Sequence, residues 1–273
     1  MSTSSGVAFE KARAEGRAAL VGYLPAGFPT VDDGIAALRS IVEAGCDVIE
    51  IGLPYSDPVM DGPTIQAAAQ QALDAGVRTA DVLRTVEAVA ATGIPTLVMT
   101  YWNPVERYGV ERFAQDLSDA GGAGLITPDL TPDFAPEWIA AADDRGLDKV
   151  FLVAPSSTDE RIGLTTAACR GFVYATAVMG VTGARTSTSD LAGPLVTRTK
   201  RAIESTAPGL PVGVGLGVSN GAQAAEVASY ADGVIVGSAF VRALLDHPND
   251  HDAARRALVM LTEDLALGVR GTQ

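Results

Sequence analysis

Eight short apolar runs recur along the chain: ALVGYL (19–24), DVIEIG (47–52), PTLVMTY (95–101), AGLIT (123–127), KVFLVA (149–154), GFVYATA (171–177), PVGVGLG (211–217) and DGVIVGS (232–238). Amphipathic stretches lie between them, among them DGIAALRSIVEAG (33–45), TIQAAAQQALDAG (64–76), VERFAQDLSDAGG (110–122), PEWIAAADDRG (136–146) and AQAAEVASYA (222–231). The runs are continuously apolar and do not alternate with polar residues, as expected for strands of a parallel sheet covered on both faces. Many of the helical stretches end in glycine, which caps a helix and turns the chain into the next strand. Eight β–α units in this length predict an α/β fold of the (β/α)8 TIM-barrel type. An extra N-terminal helix (7–16) and a final helix (251–268) are expected to cap it. No linker or low-complexity stretch interrupts the pattern, so residues 1–273 read as a single barrel domain. An open doubly wound sheet is the structural alternative.

A barrel carries its chemistry at the C-terminal ends of its strands and in the loops that follow. The second run places Glu50 there. Side chains alternate along a strand, so Val48, Glu50 and Gly52 share one face while Ile49 and Ile51 share the other. With the isoleucines against helices, Glu50 points into the barrel mouth. A carboxylate there is costly unless it is paired or neutral. It is either a structural acid hydrogen-bonded to its surroundings or a general acid/base tuned by apolar walls. Asp61 follows in a proline-rich loop, where it could also serve as the N-cap of the next helix. Asp57, in Ser-Asp-Pro, also suits a turn.

Glycine-rich turns follow the last strands: VTGARTS (181–187), GVGLGVSN (213–220) and IVGSAF (235–240). Backbone N–H groups at such turns, with a helix N-terminus, form phosphate sites in barrels of this kind. Gly215, Gly217 and Gly237 would allow close approach to an anion, and Ser238 adds a hydroxyl.

Composition narrows the chemistry. A net charge of −13 makes a poor nucleic-acid binder. No apolar run approaches the ~20 residues of a membrane span, and the first residues lack a signal peptide's apolar core. Cys46 and Cys169 stand far apart among small or apolar residues, which fits reduced thiols in a cytoplasmic protein. Lys11, Lys149 and Lys200 are the only lysines, and none ends a strand, which disfavours Schiff-base chemistry. His247 and His251 sit in a polar segment after the last strand and cannot build a multi-histidine metal site at the mouth. The residues alone describe a metal-free, cofactor-free barrel that binds a phosphorylated small molecule and moves protons with carboxylates.

The block EIGLPYSDPVMDGPTIQ (50–66) closely resembles the signature of the tryptophan synthase alpha subunit family. YLPAGFP (23–29), FVYATAVMGVTGAR (172–185), GVGLGVS (213–219) and IVGSAF (235–240) are similar to further family blocks in the same order. The resemblance implies a lyase that cleaves indole-3-glycerol phosphate to indole and glyceraldehyde 3-phosphate in tryptophan biosynthesis. It implies Glu50 as the acid/base, Asp61 as the partner of the indole N–H, and Tyr174 as a positioning group. Gly183, Gly217, Gly237 and Ser238 would hold the phosphate. Tyr23, Met99, Ile126 and Val153 would wall the indole or serve as plain barrel core. Segment 178–190 resembles a lid, with Thr182 reaching Asp61 on closure. The expected partner is a beta subunit carrying pyridoxal phosphate, in an α2β2 heterotetramer, with the loop from Leu53 to Gly62 at the contact. A stand-alone indole-3-glycerol phosphate lyase and another phosphosugar barrel enzyme are the alternatives.

Overall fold

The computed structural model describes residues 4–176 and 191–271. Its strands are β1 (Ala19–Pro25), β2 (Val48–Gly52), β3 (Thr96–Met99), β4 (Gly124–Ile126), β5 (Asp148–Val150), β6 (Leu152–Val153), β7 (Val173–Thr176), β8 (Val212–Gly215) and β9 (Gly233–Val236). The helices are α1 (Ser5–Ala14), α2 (Val31–Glu43), α3 (Pro63–Asp74), α4 (Thr79–Ala90), α5 (Trp102–Tyr108), α6 (Val110–Asp119), α7 (Pro136–Arg145), α8 (Asp159–Ala168), α9 (Ala192–Thr206), α10 (Gly221–Ala228), α11 (Ser238–Leu245) and α12 (His251–Arg270).

The strands pair in parallel in the order β5-β4-β3-β2-β1-β9-β8-β7-β6. The two ends of this order are consecutive in the chain, separated only by Phe151. They are the halves of the fifth expected strand, one paired with β4 and the other with β7. The Tyr174 N–H donates to the Phe151 carbonyl at 3.1 Å at the junction. The fold is therefore the expected (β/α)8 barrel, closed through a divided fifth strand.

Two apolar layers follow from strand alternation. Ile49, Ile51, Val98, Leu125 and Val153 pack outward against the helices. Val21, Val48, Leu97, Ile126, Val150 and Phe172 fill the barrel interior. The N-terminal helix α1 plugs the lower end: Phe9 stacks on Phe172 with ring centroids 5.0 Å apart. Asp148, fully buried at the start of β5, anchors it. The carboxylate accepts from the Ser5 N–H and Ser5 Oγ, both at 2.7 Å, and from Ser4 Oγ at 2.8 Å. With that end stoppered by aromatic rings, the cavity lies at the C-terminal ends of the strands.

Candidate active site

Glu50 sits one turn of the pleat below the end of β2, flanked outward by Ile49 and Ile51. Its side chain enters the cavity at the barrel mouth and is 1% exposed. Among the described residues neither carboxylate oxygen has a hydrogen-bond partner. An unpartnered carboxylate in an apolar pocket favours its neutral form. Burial accordingly raises the Glu50 pKa to about 8. The structural alternative, an acid held by surrounding donors, does not fit this environment.

Asp61 lines the same cavity. The N-cap of α3 is Gly62, with no side-chain cap, so Asp61 does not cap the helix. Its carboxylate instead meets the hydroxyl of Tyr101, which follows β3. That hydroxyl also accepts from the Met60 N–H at 3.0 Å. Burial raises the Asp61 pKa, and the Tyr101 hydrogen bond opposes the rise.

Two tyrosines complete the polar lining. Tyr23 on β1 is in register with Glu50, and Tyr174 on β7 is paired with Gly213 and Leu152. Each hydroxyl lies over a glycine of the neighbouring strand. A Cβ at Gly52 would stand 2.2 Å from the Tyr23 hydroxyl, and one at Gly215 would stand 2.2 Å from the Tyr174 hydroxyl. Only residues without side chains leave room for these phenols. Burial raises the pKa of both tyrosines well above 10, and the nearby Glu50 charge adds to the rise.

Gly217, Gly237 and Ser238 face the same cavity from the ends of β8 and β9. Ser238 opens α11, whose N-cap Gly237 supplies no side chain to the first-turn N–H groups. Gly217 adopts φ +82°, a conformation that favours glycine. Open backbone donors at a helix start form an anion cradle.

Met99 and Tyr23 line the cavity as expected. Ile126 belongs to the barrel interior without lining the cavity, and Val153 faces the outer helices, so neither is a wall of this pocket. The inward residue of that strand is its neighbour Leu152, which strand alternation places beside Tyr174. Met60, Ile65, Leu216 and Ile235 also contribute walls that the sequence reading missed. Thr182 and Gly183, with the whole segment 178–190, lie outside the described residues. Among the described residues no group of three or more His, Cys, Asp or Glu is placed to hold a metal ion. No helix there is long and apolar enough to cross a membrane.

A (β/α)8 barrel whose cavity gathers a buried acid, a second acid and a glycine-lined helix start at the C-terminal ends of its strands has the layout of a barrel enzyme. Comparison with known proteins gives the family. The family model described as tryptophan synthase alpha chain matches residues 9–270. The tryptophan synthase alpha chain of Salinispora arenicola is 64% identical over 265 residues, covering 97% of each chain. That of Acidothermus cellulolyticus is 61% identical, covering 98% of this chain and 97% of its own. The structure of Mycobacterium tuberculosis tryptophan synthase matches with a TM-score of 0.91 and 54% identity over 100% of both chains. The chain belongs to the tryptophan synthase alpha chain family.

Proposed function

We propose that Glu50 and Asp61 carry out the cleavage of indole-3-glycerol phosphate to indole and glyceraldehyde 3-phosphate, the reaction of this family in tryptophan biosynthesis. The observation that carries the assignment is the carboxyl of Glu50, without a partner among the described residues and buried in the cavity that Asp61, Gly217, Gly237 and Ser238 also line.

Gly217, Gly237 and Ser238, with Gly183, hold the substrate phosphate, and the indole lies towards Asp61, Met60 and Met99. Glu50 starts neutral, because burial raises its pKa to about 8. It gives its proton to indole C3, and the ring π pair forms the new C–H bond. Positive charge develops at the ring nitrogen, whose N–H donates to the Asp61 carboxylate. Glu50, now ionised, removes the proton from the hydroxyl on the carbon attached to the ring. The O–H pair becomes the aldehyde π bond. The C–C bonding pair returns to the ring and restores neutral indole. Glu50 ends protonated, ready for another turnover. Tyr174 lies close enough to Glu50 to feel its charge and helps position the substrate, and Thr182 is the proposed partner of Asp61.

The chain acts as the alpha subunit with a beta subunit as partner, in an α2β2 assembly whose beta subunits carry pyridoxal phosphate, in the cytoplasm. Val59, 72% exposed in the loop before α3, and Phe134, 75% exposed after β4, are apolar groups that such a partner would cover. The test is incubation of the purified chain with indole-3-glycerol phosphate and assay for indole, with and without added beta subunit. Indole release stimulated by the beta subunit supports the whole reading. Full release without stimulation would leave the chemistry and remove the partner.

A further inference from the structure

The phenol of Tyr23 spans the two halves of the cavity. Its Cδ1 is 3.2 Å from the place a Cβ would take at Gly237, at the anion cradle. Its hydroxyl lies over Gly52, two residues beyond Glu50 on the same face of β2. The ring therefore runs beside the path from phosphate to acid. A ligand anchored by its phosphate at Gly237 and presenting its reacting carbon to Glu50 must lay the intervening chain along this ring. The Tyr23 hydroxyl has no hydrogen-bond partner among the described residues, although the ring is largely buried and lines the cavity. A hydroxyl that faces the cavity without a protein partner is open to bond a ligand hydroxyl, and a ligand that displaces water from it without bonding it leaves it unpaired.

We infer that Tyr23 is a specificity-determining residue that hydrogen-bonds a hydroxyl of the ligand's three-carbon chain, so that the cavity selects a glycerol phosphate over an alkyl phosphate. This goes beyond an apolar wall for the indole, and it rests on the reading of the cavity as a site for a phosphorylated three-carbon chain. The selection works in both directions. A ligand with the hydroxyl gains a bond, and one without it leaves the phenol unpaired in a desolvated site. Gly52 is part of the same device, because any side chain there would displace the hydroxyl.

The test is calorimetric titration of sn-glycerol 3-phosphate and of n-propyl phosphate into the wild-type chain and into Tyr23→Phe, with melting temperature as the control for folding. The wild type is expected to bind glycerol 3-phosphate about tenfold more tightly than propyl phosphate, the size of about one hydrogen bond to a buried group. Tyr23→Phe is expected to lose that preference through weaker binding of glycerol 3-phosphate, with propyl phosphate unchanged. Equal loss for both ligands, or a preference retained in Tyr23→Phe, would overturn the inference while leaving the phosphate site standing. A wild-type chain that bound neither ligand would overturn the phosphate site itself, and the inference with it.

Discussion

The Tyr101 hydroxyl accepts the Met60 N–H at 3.0 Å and lies close enough to the Asp61 carboxylate to lower its pKa, so one phenol from the end of β3 braces the loop that carries the acid. The phenol is itself 5% exposed and packs against Tyr55 with ring centroids 5.3 Å apart. Tyr55 receives a further hydrogen bond from Asn103 at 3.0 Å. The loop carrying Asp61 is thus braced by the neighbouring strand end.

Tyr101→Phe removes the Met60 hydrogen bond and the hydroxyl beside Asp61, and keeps the ring packing. Turnover of indole-3-glycerol phosphate is expected to fall about tenfold, and stability by about 1 kcal/mol. The lost hydrogen bond favoured the ionised form of Asp61, so its pKa moves further up. The acid limb of the kcat profile should shift to higher pH. An unshifted limb would show that Tyr101 does not act on Asp61.

Glu50 also leaves a mark on stability. Its folded pKa is about 8, raised from 4.5 by burial. Between those values the unfolded chain has lost the proton and the folded chain keeps it. The folded state binds more protons, so this group lowers stability as pH rises through that window, with no further loss above it. Glu50→Gln abolishes the dependence. The variant is expected to gain stability over the wild type as pH rises from 4.5 to 8, by a few kcal/mol at most. Urea unfolding at several pH values checks this. Parallel curves for the two proteins would contradict the burial of an uncompensated acid.

Asp61→Asn keeps the shape of the loop and removes the charge proposed to face the indole nitrogen. Turnover is expected to fall by at least ~10², with affinity for glycerol 3-phosphate unchanged. Loss of phosphate binding instead would show that the two ends of the cavity are not divided as described.

Gly215→Ala places a Cβ 2.2 Å from the Tyr174 hydroxyl, and a rigid phenol cannot yield without shifting into the cavity. The expected result is a folded protein with impaired turnover, and Gly215→Ala combined with Tyr174→Phe should recover part of it. Asp148→Ala is the contrast. It removes the anchor of α1 at the closed end of the barrel and should cost about 2–4 kcal/mol of stability. Its kcat at a temperature where it stays folded should match the wild type.

Much of this was legible in the sequence because burial on both faces writes a parallel strand as an unbroken apolar run. Strand alternation alone put Glu50 inward and the two isoleucines outward, as found. The same alternation across the fifth run turns Leu152 inward and Val153 outward. The division of that strand at Phe151 could not be read, because it reflects the change of pairing partner from β4 to β7 at barrel closure, a long-range event. Tyr101 escaped for a similar reason. Its residue type suits a core aromatic, and its role appears only when the loop bearing Met60 and Asp61 folds back over it. The depth at which Ile126 sits below the cavity depends on the stagger between strands, which no single run records.

The most direct measurement of the central claim is indole release from indole-3-glycerol phosphate, followed with pH, for the wild type and for Glu50→Gln in the presence of the beta subunit. A neutral Glu50 that gives and then regains one proton predicts wild-type kcat falling as pH rises through about 8, and a loss of ~10²–10⁴ or more in Glu50→Gln at every pH. Wild-type turnover in Glu50→Gln would contradict the account.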